Sequence, residues 1–430
     1  MEASDYAKLG IKAVRNVAIS AWKPALIFTK AKGSTIWLND KPYLDFASGP
    51  GVSNIGYNHP AVLNAVKEVL DNDEAGWSGN MYLNKYQVML AEKLSAITPG
   101  KYDKQVFFSN SGGEAVEAAI LACLKARPER RGMVTFAGDF HGRLGFCRTA
   151  TSSKPLHVEG LNGGINRAFY LIFPSENPET MAKKEFLDCI QTSRQYLRYV
   201  QSSIGPFIKE INFALLELVQ GEGGINVAKK RMMQVLIQYL HENQVTVIID
   251  EVQTGLGRTG HMWASDFYEV EPDIMTVAKA LSGGVIPIGA TIFRSGFGYR
   301  KRAEHCNTFG GYPQACAAGL KSLEIVESEN LAQASHEMGL VLRGGLWEAR
   351  SNSLKAQELV SDISGLGLMS RMTFTDAKTR DKVVEEAMNR GLLLMSTGEQ
   401  STRLMPPLII TYDEIKKATE ILMKAIETHS

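Results

Sequence analysis

Val247-Ile248-Ile249-Asp250-Glu251-Val252-Gln253-Thr254-Gly255, followed by Met275-Thr276-Val277-Ala278-Lys279, decides how this chain is read. Each is a short apolar run rich in β-branched residues that empties into polar chemistry. That is the pattern of a strand buried on both faces and ending at a site. The first run delivers a carboxylate, Asp250, and the second an amine, Lys279. Their separation of 29 residues leaves room for a turn and a crossover joining two strands of one sheet. Singly, an Asp after a strand is more often a helix cap or turn residue, and a Lys there is usually a solvated end. Together they suit pyridoxal 5'-phosphate chemistry, in which a lysine holds the aldehyde and an aspartate partners the pyridine nitrogen.

Upstream, Gln105–Phe108 reads as a strand, Ser109-Asn110-Ser111-Gly112-Gly113 as a small-residue turn, and Glu114–Arg127 as a helix. A glycine turn feeding a helix N-terminus exposes N–H groups and the positive dipole end to an anion, so Gly112 and Gly113 are candidate phosphate holders. A further strand, Met133–Phe136, leads to Phe140-His141-Gly142-Arg143. There Phe140 is placed to cover a cofactor ring and Arg143 to bind a substrate carboxylate with its planar fork. Phe213–Val219 is expected as a strand and Arg231–His241 as a helix. Strands alternating with helices on this scale predict a mainly parallel sheet with helices on both faces, whose ligands collect at the strands' carboxyl ends.

The remaining chain is expected to divide around that unit. Residues 1–57 read as an arm that contributes to a small domain, with strand, turn and strand over Thr35–Phe46 and a loop over Ala47–Gly51. Residues 58–315 form the large cofactor-binding domain, opening on a helix at Pro60 whose Val62, Ala65, Val66, Val69 and Leu70 share a face. Residues 316–430 form the smaller α+β domain, ending in a helix capped by Thr411 and Glu414 with a stripe of Ile415, Ala418, Leu422, Ala425 and Ile426. Between Thr151 and Phe207 the pattern carries no chemistry. A helix from Glu185 to about Val200 and a loop over Gly160–Gly164 are expected there.

Composition excludes several classes. With 44% apolar and 22% charged residues the chain is ordinary globular protein. A net charge of +1 gives no electrostatic case for nucleic acid or membrane partners. The five cysteines are odd in number and lack C-x-x-C spacing, which argues for a reducing, cytoplasmic compartment and against a metal site. Neither a signal peptide at Met1–Asp5 nor a membrane-spanning run is expected.

Seven motifs in this order resemble the class III (ω-type) aminotransferases over nearly the whole chain. They are Tyr43–Gly49, Asn110–Ala115, Phe140–Arg143, Gln220–Gly223, Asp250–Gly255, Ala278-Lys279 and Thr308–Gly311. Within the family the likeness is to 4-aminobutyrate aminotransferases. The resemblance implies a fold-type I α/β enzyme, a homodimer with shared active sites. In it Lys279 carries the cofactor and shuttles a proton, and Asp250 keeps the pyridine nitrogen protonated. Val252 and Phe140 flank the ring, Gln253 contacts its phenolic oxygen, and Thr308 reaches the neighbouring subunit's phosphate. Glu217 supports the site, and Glu222 pairs with Arg403 when an ω-amino donor is bound, then yields Arg403 to the α-carboxylate of glutamate or 2-oxoglutarate. Three positions depart from the family: Gly113 replaces a small Thr, Ala or Ser, Leu218 a frequent Pro, and Pro50 the Tyr with which ornithine-type members bind an α-amino group.

The expected reaction moves an amino group from a 4-aminobutyrate-like donor to a 2-oxo acid. An ornithine- or acetylornithine-type transaminase, an amino acid racemase and an aminomutase are rivals on the same scaffold. A non-catalytic protein retaining the fold is opposed by the joint presence of Lys279 and Asp250.

Overall fold

The computed structural model describes residues 27–76, 82–157, 165, 167–177, 181–188, 190–299, 301 and 304–428. Its central feature is one sheet of seven strands: β1 (Lys104–Ser109), β2 (Gly132–Phe136), β3 (Arg167–Leu171), β4 (Ile211–Leu216), β5 (Thr246–Asp250), β6 (Ile274–Val277) and β7 (Gly289–Arg294). Their spatial order is β1-β7-β6-β5-β4-β2-β3. Only β7 runs against its neighbours; the pairs β6–β5, β5–β4, β4–β2 and β2–β3 are parallel.

The β-branched runs are buried along their whole length because helices cover both faces. Ile248 and Ile274 pack with Val116, Ala119 and Ile120 of helix α1 (Gly112–Ala126). Val247 and Ile249 lie in the cluster of Met233, Leu236 and Leu240 from helix α2 (Lys230–Glu242). Successive residues of a strand point to opposite faces, so a run with no polar alternation needs cover on both. The expected α/β architecture is the one found.

Two smaller sheets complete the site's surroundings. Phe28–Lys32, Thr35–Leu38 and Lys41–Asp45 form a meander that Leu392–Leu393 joins in parallel. Asn39 and Asp40 make its turn at positive φ, a conformation these residue types tolerate. Val360–Leu366, Met369–Phe374, Ser401–Leu404 and Met395–Thr397 form an antiparallel sheet. In it Arg403 lies opposite Arg371 on one side and Met395 on the other. Among the described residues no helix is long and apolar enough to cross a membrane.

Some local expectations are corrected. The strand expected over Phe213–Val219 stops at Leu216, and Val219–Gln220 pairs instead with Asn226–Val227. The chain turns there because both Glu217 oxygens accept backbone N–H groups from elsewhere, those of Phe140 and Gly221. The helix expected over Glu185–Val200 is two, Met181–Asp188 and Ser193–Ile204, because Thr192 and Gln195 build a capping box that starts the second afresh. Helix α1 begins at Gly112 rather than Glu114, with Ser111 as its cap. Ser48–Gly51, within the expected loop, forms a short irregular helical turn closed by Gly51 N–H on Ala47 O. Leu70 is 52% exposed, at the edge of the stripe that buries Val62 and Val69. The expected loop at Gly160–Gly164 and the start of the arm lie outside the described residues.

Candidate active site

Asp250 ends β5 and Lys279 follows β6, its immediate neighbour, in register Asp250 opposite Thr276. The two residues that opened the sequence argument therefore leave the same edge of the sheet side by side. Lys279 adopts φ +44°, a backbone state rare for a lysine and kept only where the surroundings fix it. Burial and the nearby Arg403 charge depress its ammonium to about 8, against the opposing pull of Asp250, Glu217 and Glu222. The amine makes no hydrogen bond to any described residue.

Asp250 is 6% exposed and fully engaged on its protein side. Oδ1 accepts the Val252 N–H (3.0 Å) and the Thr276 hydroxyl (3.2 Å), and Oδ2 lies 2.8 Å from His141 Nδ1. The other ring nitrogen of His141 faces Asp139 Oδ2 at 3.3 Å. Burial works against charge on this imidazole, but the two flanking carboxylates reverse the effect and hold it up at about 10. His141 is thus an imidazolium clamped between two carboxylates. Glu217, 5% exposed, lies just beyond. Burial and the charge of Asp139 raise its carboxyl. Neither His141 nor Asp139 was singled out for this role from sequence. Both sit in or beside the Phe140–Arg143 motif, and nothing in a linear pattern says which side chains of a loop turn inward.

The glycines form a cradle at the N-terminus of α1. The Ser111 hydroxyl accepts the Glu114 N–H (3.2 Å), and Gly112 and Gly113, whose N–H groups open the helix without an intrahelical acceptor, line the cavity. A Cβ on Gly112 would stand 2.8 Å from Val252, and one on Gly113 3.1 Å from Leu144. Leu144 thus occupies the space that a side chain at the departing position 113 would fill. Gly289 lets β7 approach equally closely, since a Cβ there would meet Ser111 O at 2.4 Å.

The same cavity carries two arginines, Arg143 and Arg403. Arg403, 1% exposed, donates to Glu222 Oε2, while its Nε is buried without a partner. Burial raises the Glu222 carboxyl, yet the charge of Arg403 and the contacts with Lys154 outweigh it and hold the group down at about 2. Arg143 is exposed, sits 5.0 Å over the Phe140 ring, and makes no ion pair among the described residues.

One cavity of about 450 Å³ is lined by Lys279, Asp250, Gly112, Gly113, Phe140, Val252, Gln253, Glu217, Glu222, Arg143 and Arg403. Eleven of the twelve candidates from sequence are therefore together. Thr308 is not; it is exposed on the loop before the helix Pro313–Ser328 and does not line the cavity. Seven further residues line it, among them His141 and Pro50.

The lining can hold pyridoxal phosphate. Gly112 and Gly113 offer free N–H groups at a helix start for its phosphate. Phe140 and Val252 offer apolar surfaces for its ring, and Asp250 a carboxylate for its nitrogen. Gln253 offers an amide whose Oε1 is buried without a partner while Nε2 donates to Pro50 O (3.3 Å).

Comparison with known proteins agrees. The sequence model of the family described as aminotransferase class-III matches residues 18–426. The chain is 34% identical over 403 residues, 92% of its length and 93% of the relative's, to the acetylornithine aminotransferase of Caldanaerobacter subterraneus subsp. tengcongensis. It is 30% identical, over 91% of each chain, to a probable 4-aminobutyrate aminotransferase of Bacillus subtilis. The crystal structure of an aminotransferase from Bacillus anthracis superimposes with a TM-score of 0.87 at 26% identity, covering 100% of both chains.

Proposed function

The chain belongs to the class-III aminotransferases, and we propose that it moves the terminal amine of an ω-amino acid whose α-nitrogen is acylated or absent to a 2-oxo acid such as 2-oxoglutarate. It is a pyridoxal phosphate-dependent transaminase. One observation carries the choice of donor: the cavity presents two unequal arginines, Arg403 paired with Glu222 and Arg143 without an ion pair among the described residues, with Pro50 on the lining. A donor with its only carboxylate far from the reacting amine is served by Arg143 and needs nothing from Arg403. Pro50 offers no hydroxyl to a free α-ammonium, whereas an acetamido group or a plain methylene demands none. The named relatives support an acetylornithine-type donor first, at 34% identity, ahead of the 4-aminobutyrate type favoured from sequence, at 30%.

When bound, the cofactor supplies an electron sink for the negative charge left at the substrate carbon. Lys279 Nζ removes and returns the proton at that carbon, for which it must be neutral; burial beside Arg403 lowers its ammonium to about 8 and so raises the neutral share far above that of an ordinary lysine. Asp250 would hold a proton on the pyridine nitrogen, and His141 orients the Asp250 carboxylate through their 2.8 Å contact. Gly112 and Gly113 would hold its phosphate, Phe140 and Val252 would pack against its ring, and Gln253 would meet its phenolic oxygen. Glu217 ties the Phe140 backbone to the turn at Gly221.

The working unit of the proposal is a cytoplasmic homodimer. Leu83 is 80% exposed, Phe309 56% and Met89 52%, and Asn84 donates to Gly311 O (2.9 Å), joining their two segments. That apolar surface suits a second copy whose site receives Thr308. Four unpaired cysteines among the described residues suit a reducing compartment. Residues 58–315 with the large sheet, and 316–430 with the arm, are the two domains of this scheme.

Incubation of the enzyme with N-acetylornithine, ornithine or 4-aminobutyrate plus 2-oxoglutarate, following glutamate, tests the proposal. Acetylornithine or 4-aminobutyrate should outpace ornithine. Ornithine as the best donor would remove the argument from Pro50. Consumption or inversion of one amino acid without any 2-oxo acid would make the chain an isomerase.

A further inference from the structure

Glu222 is held by two cations. Its Oε2 receives Arg403 and its Oε1 receives Lys154. Lys154 was no part of the sequence argument, and its side chain is 38% exposed against 1% for Arg403.

The backbones on both sides of this contact are fixed. Glu222 O accepts the Gly398 N–H (3.0 Å) and the Thr397 hydroxyl (3.2 Å), and the Gly221 N–H is taken by Glu217 (3.0 Å). The segment leading to Lys154 hangs from the loop beside the cofactor cradle. Ser152 and Ser153 donate their N–H groups to Asp139 O at 2.8 and 3.1 Å, and the Ser152 hydroxyl accepts the Gly138 N–H (2.9 Å). Any movement of Glu222 away from Arg403 is therefore a side-chain rotation about a fixed Cα. The reach of Lys154, a flexible four-carbon stem with a rotating ammonium, sets where the carboxylate goes.

Charge favours such a rotation. One carboxylate between two cations leaves the trio with a net +1, so an entering substrate carboxylate meets attraction rather than a neutral pair. A carboxylate displaced from an arginine with no second partner would stand partly desolvated and unpaired, which is costly. Arg143 and His157 are the other basic groups nearby; burial first, then the charges of Arg143 and Lys154, hold the His157 imidazole below its ordinary value against the pull of Glu222, which places Lys154 in the same electrostatic neighbourhood.

We propose that Lys154 is a specificity-determining residue: it keeps the Glu222 carboxylate paired when a substrate α-carboxylate takes Arg403, and so favours dicarboxylic partners such as glutamate and 2-oxoglutarate. The inference rests on the two-arginine reading of the site given above. It assigns Lys154 no contact with substrate.

Glutarate, a five-carbon dicarboxylate without a reactive group, is titrated calorimetrically into the holoenzyme, and single-turnover rates are taken for each half-reaction. Lys154→Met should weaken glutarate binding and raise the 2-oxoglutarate KM by about fivefold, the scale of a partly exposed ion pair. The half-reaction with an ω-amino donor should stay within about twofold, because that donor leaves Glu222 on Arg403. Lys154→Arg should restore wild-type behaviour. In a Glu222→Gln background Lys154→Met should change nothing, since its partner is gone. A loss that persists there would mean that Lys154 touches the substrate itself, and equal losses in both half-reactions would make it a general brace; either overturns the proposal. Wild-type binding of glutarate that is unchanged in Lys154→Met overturns this inference alone. Wild-type failure to bind glutarate or use 2-oxoglutarate brings down the two-arginine reading with it.

Discussion

Lys279 concentrates the chemistry at the residue scale. Its amine is held at about 8 by burial and by Arg403, well below the ordinary lysine value. A base with a depressed pKa is protonated below that value and neutral above it. The rate at which cofactor-free enzyme takes up pyridoxal phosphate, followed by absorbance, should therefore rise with pH through a midpoint at about 8 and level above it. Arg403→Met removes a repelling cation and leaves Glu222 to stabilise the ammonium, so the midpoint should move to higher pH. A wild-type midpoint near the free-lysine value would contradict the desolvated site described here. Lys279→Ala should remain folded, lack the visible absorbance of lysine-bound cofactor, and lose nearly all turnover.

At the scale of elements, the start of helix α1 bears the tightest constraint. Gly112 is the first helical residue, and its missing side chain is what lets Val252 close over the cradle at 2.8 Å from the site of a Cβ. Gly112→Ala is compatible with the helix, so the protein should fold, with its melting temperature lowered by a few degrees. Overpacking against Val252 costs about 1–3 kcal/mol, which should appear as roughly a tenfold or greater loss of cofactor affinity in equilibrium dialysis. Unchanged affinity would show that the phosphate is held elsewhere. The neighbouring Gly113 tells the same story differently: Leu144 has moved into the space a hydroxyl-bearing residue would use.

Across the whole molecule, Arg258 ties the sheet that carries Asp250 to the strand that carries Arg403. It is fully buried, and its guanidinium donates to Asn54 Oδ1 (2.6 Å), Leu368 O (3.0 Å) and Pro406 O (2.6 Å). Arg258→Met keeps bulk but strands three acceptors, at about 1–3 kcal/mol for each one left dry, offset by relief of a buried charge. The apparent melting temperature should fall by about 5–10 °C. Because Pro406 follows the Arg403 strand, binding of 2-oxo acids should weaken more than binding of the cofactor. A drop in stability with no change in 2-oxo acid affinity would show that the tie is structural only.

The sequence by itself determined the central sheet, because unbroken β-branched runs such as Val247–Ile249 and Met275–Val277 bury stably only under helices on both faces. It also determined the capped last helix, since Thr411, Glu414 and the stripe from Ile415 to Ile426 act within a few residues of one another. Asp250, Lys279, Gly112, Gly113, Phe140 and Arg143 were legible as candidates because each sits where a strand or helix begins or ends in unusual chemistry; Val252, Gln253, Glu217, Glu222 and Arg403 were expected from the family resemblance alone. What the sequence could not reveal depends on contacts between distant segments. The imidazolium bridge of Asp139, His141 and Asp250 spans 111 residues. The early end of β4 follows from Glu217 accepting an N–H from Phe140, and the pairing of Glu222 with Lys154 from a loop with no periodicity. A side chain's direction in a loop is set by the hydrogen bonds that pin the backbone around it, and those partners come together only when the chain has folded.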